Sequence, residues 1–170
     1  MSATTKAIGF IMLLIGIIVG IFNAYLLYDY VKATPVMWIC FGLYAVVSAI
    51  GVFLQVVPEI EEFGKSLSTV AMIIGMVNLY LTYNLVQVPI LIWVIFGLVI
   101  LVGLIGYAFS KIPVDSVKAI SALFLLGVAI AMLYNTYLLY QFINATILIW
   151  LTWVTYITVT IIGTGVHKIK

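Results

Sequence analysis

The sequence predicts an all-α membrane protein with six transmembrane helices, arranged as three tandem two-helix hairpin repeats around a pseudo-threefold axis. Two observations lead to this fold class. Of the 170 residues, 66% are apolar and only 7% are charged, whereas about a quarter of the residues of an ordinary soluble domain are charged. The second observation is a threefold internal repeat, and a repeat at a nearly fixed period indicates one structural unit that is used several times.

The repeat is clearest in the segment NAYLLYDYVKATPVMW, residues 23–38. It returns as NLYLTYNLVQVPILIW at residues 78–93 and as NTYLLYQFINATILIW at residues 135–150, so that the copies begin 55 and then 57 positions apart. Tyr, Trp and Gly residues recur at the same distances from each Asn: Tyr25, Tyr80 and Tyr137; Tyr28, Tyr83 and Tyr140; Trp38, Trp93 and Trp150; Gly51, Gly106 and Gly163.

Six apolar stretches are close to the ~20 residues that a helix needs to cross a hydrocarbon core of ~30 Å. They are residues 7–30, 36–57, 68–85, 89–109, 117–142 and 147–164. We therefore predict a single membrane domain, residues 1–170, whose copies cover residues 7–57, 68–109 and 117–164. The turn within a copy is short, which makes its two helices antiparallel neighbours. The longer segments 58–67 and 110–116 are predicted to be charged loops between copies.

The charged and aromatic residues bear on orientation and on partners. Lysines lie mostly on the side of the termini, with Lys32 alone at the turns, which by the positive-inside rule places both termini in the cytoplasm. Asp29 is expected to pair with Lys32. A net charge of +2 indicates no nucleic acid partner, and the expected partner is the lipid bilayer. An aromatic belt at the membrane interface is predicted from the residues near the helix ends: Tyr28, Tyr30, Trp38, Tyr83, Trp93, Tyr140 and Trp150.

No constellation of catalytic residues is visible in the sequence. The predicted spans contain no paired acids and no Cys/His cluster, and the single His, His167, lies outside them. The single Cys, Cys40, cannot form a disulfide within the chain. We therefore expect neither enzymatic activity nor a metal or other cofactor.

The polar residue that the spans repeat is asparagine: Asn23, Asn78 and Asn135. Each lies about eight residues, or ~12 Å of helix, before its turn, which is near the middle of a bilayer. A carboxamide without a partner in hydrocarbon costs several kcal/mol, so each Asn should face protein or water. They could line a pore for small neutral solutes together with the Leu three residues further on, or they could hydrogen-bond helices together. The Leu residues are Leu26, Leu81 and Leu138.

Three tandem hairpins in a short six-span chain, each with an Asn towards the end of its first helix, resemble the AmiS/UreI family of urea channels and putative short-chain amide transporters. The resemblance covers nearly the whole chain and is carried by GIIVGIFN at residues 16–23, by Asn78 and by Asn135. It implies a channel for urea, short-chain amides or ammonia that assembles as a homohexamer. It also implies termini outside the cytoplasm, opposite to the lysine argument, so the orientation stays open.

A second hypothesis is a non-catalytic accessory subunit of a larger membrane complex such as a respiratory oxidase. The low charge and short loops favour it, because they leave almost no surface for recognition by soluble partners. Because the repeated Asn occurs only in the first helix of each copy, we expect the first helices to be inner and the second helices outer. The fourth and sixth helices should meet other chains, since they are rich in small and hydroxyl residues: Gly97, Gly103, Gly106, Thr152, Thr155, Thr158 and Thr160.

Overall fold

The computed structural model consists of helices joined by short connections in the part of the chain that it describes, residues 3–54 and 57–168. That part contains α1 (Ala3–Tyr30), α2 (Pro35–Leu54), a 3-10 turn (Pro58–Ile60), α3 (Glu61–Val86), α4 (Ile90–Ser110), α5 (Asp115–Phe142) and α6 (Ile147–Lys168). The side chain of His167 lies outside the described part. Five helices are long and apolar enough to cross a membrane, while the apolar part of α6, Ile147–Gly163, is shorter. An all-α, membrane-embedded protein is thus confirmed, and the sixth crossing stays a prediction.

The chain divides into two compact units. The first consists of the chain up to Leu85 together with the chain from Ala145 onwards, and it contains α1, α2, α6 and nearly all of α3. The second runs from Val86 to Asn144 and contains α4 and α5. The contacts described below lie within one unit or the other.

Helix α3 begins at Glu61, so the prediction of a charged loop over residues 58–67 is wrong. Glu61 and Glu62 occupy the first turn, where carboxylates interact favourably with the positive end of the helix. Lys65 Nζ lies 2.8 Å from a carboxylate oxygen of each of them. These charges stabilise a helix that extends beyond the apolar stretch, which hydropathy alone does not reveal.

Each short turn contains one non-glycine residue with a positive φ angle. The values are 55° at Lys32, 53° at Gln87 and 51° at Asn144, and these positions are equivalent in the repeat. After α1, the backbone N–H of Lys32 donates to the carbonyl of Asp29 (3.3 Å), and that of Ala33 donates to the carbonyl of Tyr28 (2.9 Å), which is the Schellman pattern of helix termination. Asp29 and Lys32 thus meet through their backbones, and the expected ion pair between their side chains is not found among the described residues.

We expect Gln87→Gly to raise the free energy of unfolding by about 0.5–1 kcal/mol. Glycine adopts a positive φ angle without the steric cost that a side chain incurs there. Asn144→Gly is the matched control and should gain less, because Asn tolerates this conformation better than Gln does. Denaturant unfolding in a mild detergent measures both variants, and a clear loss of stability in Gln87→Gly would contradict the turn geometry.

The second helix of each copy packs against the first helix of another copy, at a glycine. Gly51, Gly106 and Gly163 are equivalent in the repeat, and each lies against a neighbouring helix that a side chain would approach too closely. The contacts are Gly51 of α2 with Gly64 and Ser68 of α3, Gly106 of α4 with Phe124 and Leu125 of α5, and Gly163 of α6 with Met12 and Leu13 of α1. The missing side chain allows the two helices to approach closely at each of these positions.

At one further contact, the glycine lies on the first helix of a copy in the α1/α6 pair and on the second helix of a copy in the α4/α5 pair. In the α1/α6 pair, Gly16 of α1 lies against Thr160, while in the α4/α5 pair Gly103 of α4 lies against Val128. Gly16 is equivalent to Val128 in the repeat, and Thr160 is equivalent to Gly103. A Cβ atom at Gly16 would lie only 2.7 Å from Thr160 Oγ1, whereas one at Gly103 would lie at an ordinary contact distance of 3.9 Å from Val128.

The two helices of the first copy meet near their turn through aromatic residues. The ring of Tyr28 in α1 lies 5.6 Å from that of Trp38 and 5.3 Å from that of Phe41, both in α2, with edge-to-face geometry. Such pairs contribute about 0.5–1.5 kcal/mol beyond the burial of their area. The helices of this copy are thus neighbours at the turn, as predicted.

The expected division into inner and outer helices does not appear in the exposure of α1 and α2. Ile11 and Ile18 of α1 are 54% and 65% exposed, and Ile39 and Phe53 of α2 are 64% and 70% exposed. Helix α1 therefore has an apolar face that suits lipid, and the division into inner and outer helices stays a prediction.

Two threonines of α6 form hydrogen bonds within their own helix. Thr155 Oγ1 donates to the carbonyl of Leu151, and Thr158 Oγ1 donates to the carbonyl of Val154, both over 2.8 Å. Hydroxyl groups bonded in this way need no partner on another chain. Contacts of α4 and α6 with neighbouring chains therefore stay a prediction.

Candidate functional site

The three repeated asparagines are all buried. Asn23, Asn78 and Asn135 are 6%, 4% and 0% exposed. The residues four and five positions further on are also buried: Leu27 and Tyr28, Thr82 and Tyr83, Leu139 and Tyr140. The Leu residues three positions further on are only half-buried: Leu26, Leu81 and Leu138. The buried face of each first helix therefore contains the Asn and the residues four and five positions further on, and the predicted Leu positions lie at its edge.

Asn23 joins α1 to α6. Its Nδ2 atom donates to the carbonyl oxygen of Ile149 over 2.8 Å and to Thr152 Oγ1 over 2.7 Å. Both amide hydrogens are therefore used within the chain. In the first copy, the carboxamide nitrogen hydrogen-bonds two helices together, which is one of the two roles predicted for the repeated Asn.

A double-mutant cycle with Asn23→Leu and Thr152→Val should give a coupling energy of about 0.5–2 kcal/mol in the free energy of unfolding. The reason is that each substitution removes one partner of the same bond between α1 and α6. Thr155→Val provides the control, because the Thr155 hydroxyl is exposed and bonds only to its own helix. Coupling of Asn23 to Thr155 as strong as its coupling to Thr152 would contradict the assignment.

The second asparagine belongs to a polar cluster of three side chains, Tyr28 of α1 with Asn78 and Thr82 of α3. All three are at most 6% exposed. Thr82 Oγ1 donates to the backbone carbonyl of Asn78 over 2.9 Å. The Tyr28 side chain forms hydrogen bonds with the side chains of both Thr82 and Asn78.

The number of available hydrogens fixes the direction of these bonds. Each hydroxyl group has one hydrogen, and that of Thr82 is used on the backbone of Asn78. The Tyr28 hydroxyl must therefore donate to Thr82 Oγ1, and it accepts from Asn78 Nδ2. This orientation directs Asn78 Oδ1 away from Tyr28, and among the described residues that buried oxygen accepts no hydrogen bond.

The third asparagine lies in α5, within the second compact unit. Asn135 is fully buried, with Leu139 and Tyr140 buried on the following turn. In the same unit Ser121 Oγ donates to the carbonyl of Gly106 over 2.7 Å and joins α5 to α4. Helices α4 and α5 are therefore joined by a hydrogen bond at Gly106, the same residue at which they pack closely.

The chain was compared with protein-family models, with curated proteins and with solved structures. None of them matches.

The buried tyrosines correct the predicted aromatic belt. Tyr28, Tyr83 and Tyr140 are 6%, 0% and 3% exposed, so they pack inside the protein and do not face lipid headgroups. Their closeness to the helix ends suggested the belt. Their equal spacing of five residues from each repeated Asn was the signal that could have connected them with the asparagines.

The described residues include no group of three His, Cys, Asp or Glu side chains that could hold a metal ion. The polar groups of the Tyr28–Asn78–Thr82 cluster are neutral carboxamide and hydroxyl groups. Such groups can bind and orient an uncharged polar molecule through hydrogen bonds.

Proposed function

We propose that this chain is a cell-membrane channel or transporter for small neutral solutes such as urea, short-chain amides or ammonia. The observation that carries the proposal is the buried polar cluster of Tyr28, Asn78 and Thr82, in which Asn78 Oδ1 accepts no hydrogen bond among the described residues. A buried acceptor without a partner costs about 1–3 kcal/mol. A small polar molecule that passes through the membrane at this point would supply the missing bond.

The sequence repeat supports the wider architecture of the proposal, which is a sixth crossing by α6 and three hairpins around a pseudo-threefold axis. In that arrangement Asn23, Asn78 and Asn135 lie at one depth, with Leu26, Leu81 and Leu138 beside them as the apolar part of the wall. Polar side chains at one level of an otherwise apolar pore can hydrogen-bond a neutral solute that has donors and acceptors. They give an ion too few groups to replace its hydration shell.

Solute-driven swelling of proteoliposomes tests the proposal. The purified chain alone should accelerate the entry of urea, acetamide or ammonia relative to protein-free liposomes of the same lipid. Sucrose provides the control for intact vesicles, since it should remain excluded. Swelling at the protein-free rate for each of the three solutes would reject the proposal.

The bonds of Asn23 favour a second candidate function, a non-catalytic accessory subunit of a larger membrane complex such as a respiratory oxidase. Both amide hydrogens of Asn23 hold α1 to α6, which is a structural role. The two candidates differ in the assembly that a mild detergent should preserve. A homo-oligomer, such as a hexamer of the 18.8 kDa chain, favours the channel, and co-purification with unrelated membrane proteins favours the accessory subunit.

A further inference from the structure

We propose that Asn78 Oδ1 recognises an N–H or O–H donor on the transported molecule, so that the chain prefers solutes with such a donor over isomers that only accept hydrogen bonds. This inference rests on the proposed function and adds to it the chemical class that the site selects. The recognising atom is a neutral carbonyl oxygen in α3, next to α1.

The polarity of the site follows from the hydrogen bonds of the cluster. The hydroxyl hydrogen of Thr82 is bonded to the Asn78 backbone, that of Tyr28 is directed to Thr82, and the Asn78 nitrogen is directed to Tyr28. These bonds use both hydroxyl hydrogens and one of the two hydrogens of the Asn78 nitrogen. The atom of the cluster that can accept a further hydrogen bond is Asn78 Oδ1, which is buried and has no partner in the described part of the chain.

The threonine of this arrangement occurs only in the second copy of the repeat. Thr82 is replaced by Leu27 in the first copy and by Leu139 in the third, so neither can hold a tyrosine hydroxyl as Thr82 holds that of Tyr28. The first asparagine, Asn23, directs its nitrogen to α6 instead. We therefore assign the recognition of a donor to Asn78, whose carboxamide is oriented by this cluster.

The chemistry of a single buried acceptor defines which solutes fit. An amide or urea N–H, ammonia or an alcohol can donate to Asn78 Oδ1, whereas a dialkylated amide cannot because it has no N–H. An anion is disfavoured by the negative end of the carbonyl dipole. Discrimination is expected because a molecule without a donor leaves the buried acceptor unpaired.

The test compares butanamide with N,N-dimethylacetamide, which are isomers of the same composition with two N–H groups and none. Stopped-flow swelling of proteoliposomes gives their rates, from which the protein-free rates are subtracted. We expect the protein-dependent rate of butanamide to be about tenfold higher, the factor that ~1.4 kcal/mol represents. Acetamide, which is smaller, shows whether the chain conducts an amide at all.

Two variants locate the selectivity. Asn78→Leu should lower the protein-dependent rates of both isomers to zero, and Tyr28→Phe should keep the flux and reduce the preference for butanamide. Removing the Tyr28 hydroxyl frees the Asn78 nitrogen, which then provides the site with a donor for acceptor-only solutes. Tyr28→Phe changes one atom in the cluster and preserves the ring, so a folded protein is expected.

The outcomes separate this inference from the function on which it rests. No protein-dependent flux of acetamide, urea or ammonia would overturn the proposed function and the inference with it. Acetamide flux with equal protein-dependent rates for the two isomers would overturn the inference and leave the function in place. An unchanged preference for butanamide in Tyr28→Phe, or protein-dependent flux of butanamide in a folded Asn78→Leu variant, would also overturn the assignment to Asn78.

Discussion

Asn78→Leu should remove solute flux from a protein that still folds and assembles. The substitution deletes the buried acceptor and the bond to Tyr28, while an apolar side chain of similar size fills the position. A lost hydrogen bond between helices costs at most about 2 kcal/mol, which a folded membrane protein can tolerate. A lost polar step in an apolar path raises the barrier for each molecule that crosses.

The measurement is solute-driven swelling of proteoliposomes, accompanied by the unfolding midpoint in detergent. Asn84→Leu is the matched control, because Asn84 lies six residues further along the same helix and its side chain is exposed. That variant should retain both flux and stability. If the asparagine served only to join helices, Asn78→Leu would instead lose stability and keep its flux, and normal swelling by the folded variant would reject the transport role of Asn78.

Gly51→Ala should destabilise the chain by about 1–3 kcal/mol. A Cβ atom at this position would lie 2.7 Å from Ser68 Oγ and 2.9 Å from the backbone nitrogen of Ser68. The hydroxyl can rotate away, but the backbone atom can move only if α2 and α3 separate. The separation would also weaken the neighbouring contact with Gly64.

Gly42→Ala is the matched control for this substitution. Gly42 lies in the same helix, and no atom comes within 4 Å of a Cβ atom built on it. Alanine should therefore leave the free energy of unfolding unchanged or raise it by up to about 1 kcal/mol through its greater helix propensity. Denaturant titration in detergent compares the two variants, and equal effects on stability would contradict the close packing of α2 on α3.

Much of the fold could be predicted from the sequence because apolar length and the repeat are strong signals. The end of α1 at Tyr30 and that of α5 at Phe142 agree with the predicted spans. The start of α3 at Glu61 was missed, because helix formation there depends on charges in the first turn and not on hydropathy. The burial of the repeated Asn could be predicted from the cost of exposing a carboxamide to lipid.

The partners of each buried group could not be predicted, because they depend on which helices meet and in what register. The repeat shows that Gly51 and Gly163 are equivalent, yet it does not show that Gly51 lies against Ser68 or that Gly163 lies against Leu13. For the same reason the sequence placed Tyr28 in an aromatic belt. Only the packing of α1 on α3 reveals that its hydroxyl belongs with Asn78 and Thr82.

The measurement that tests the account most directly is the swelling rate of liposomes that contain this chain alone, recorded for urea at several ratios of protein to lipid. A channel or transporter predicts a rate that rises in proportion to the number of chains per liposome, while sucrose stays excluded. A urea rate equal to that of protein-free liposomes at each ratio, for a chain shown to be folded and inserted, would contradict urea transport, and the same result for acetamide and ammonia would contradict the proposed function.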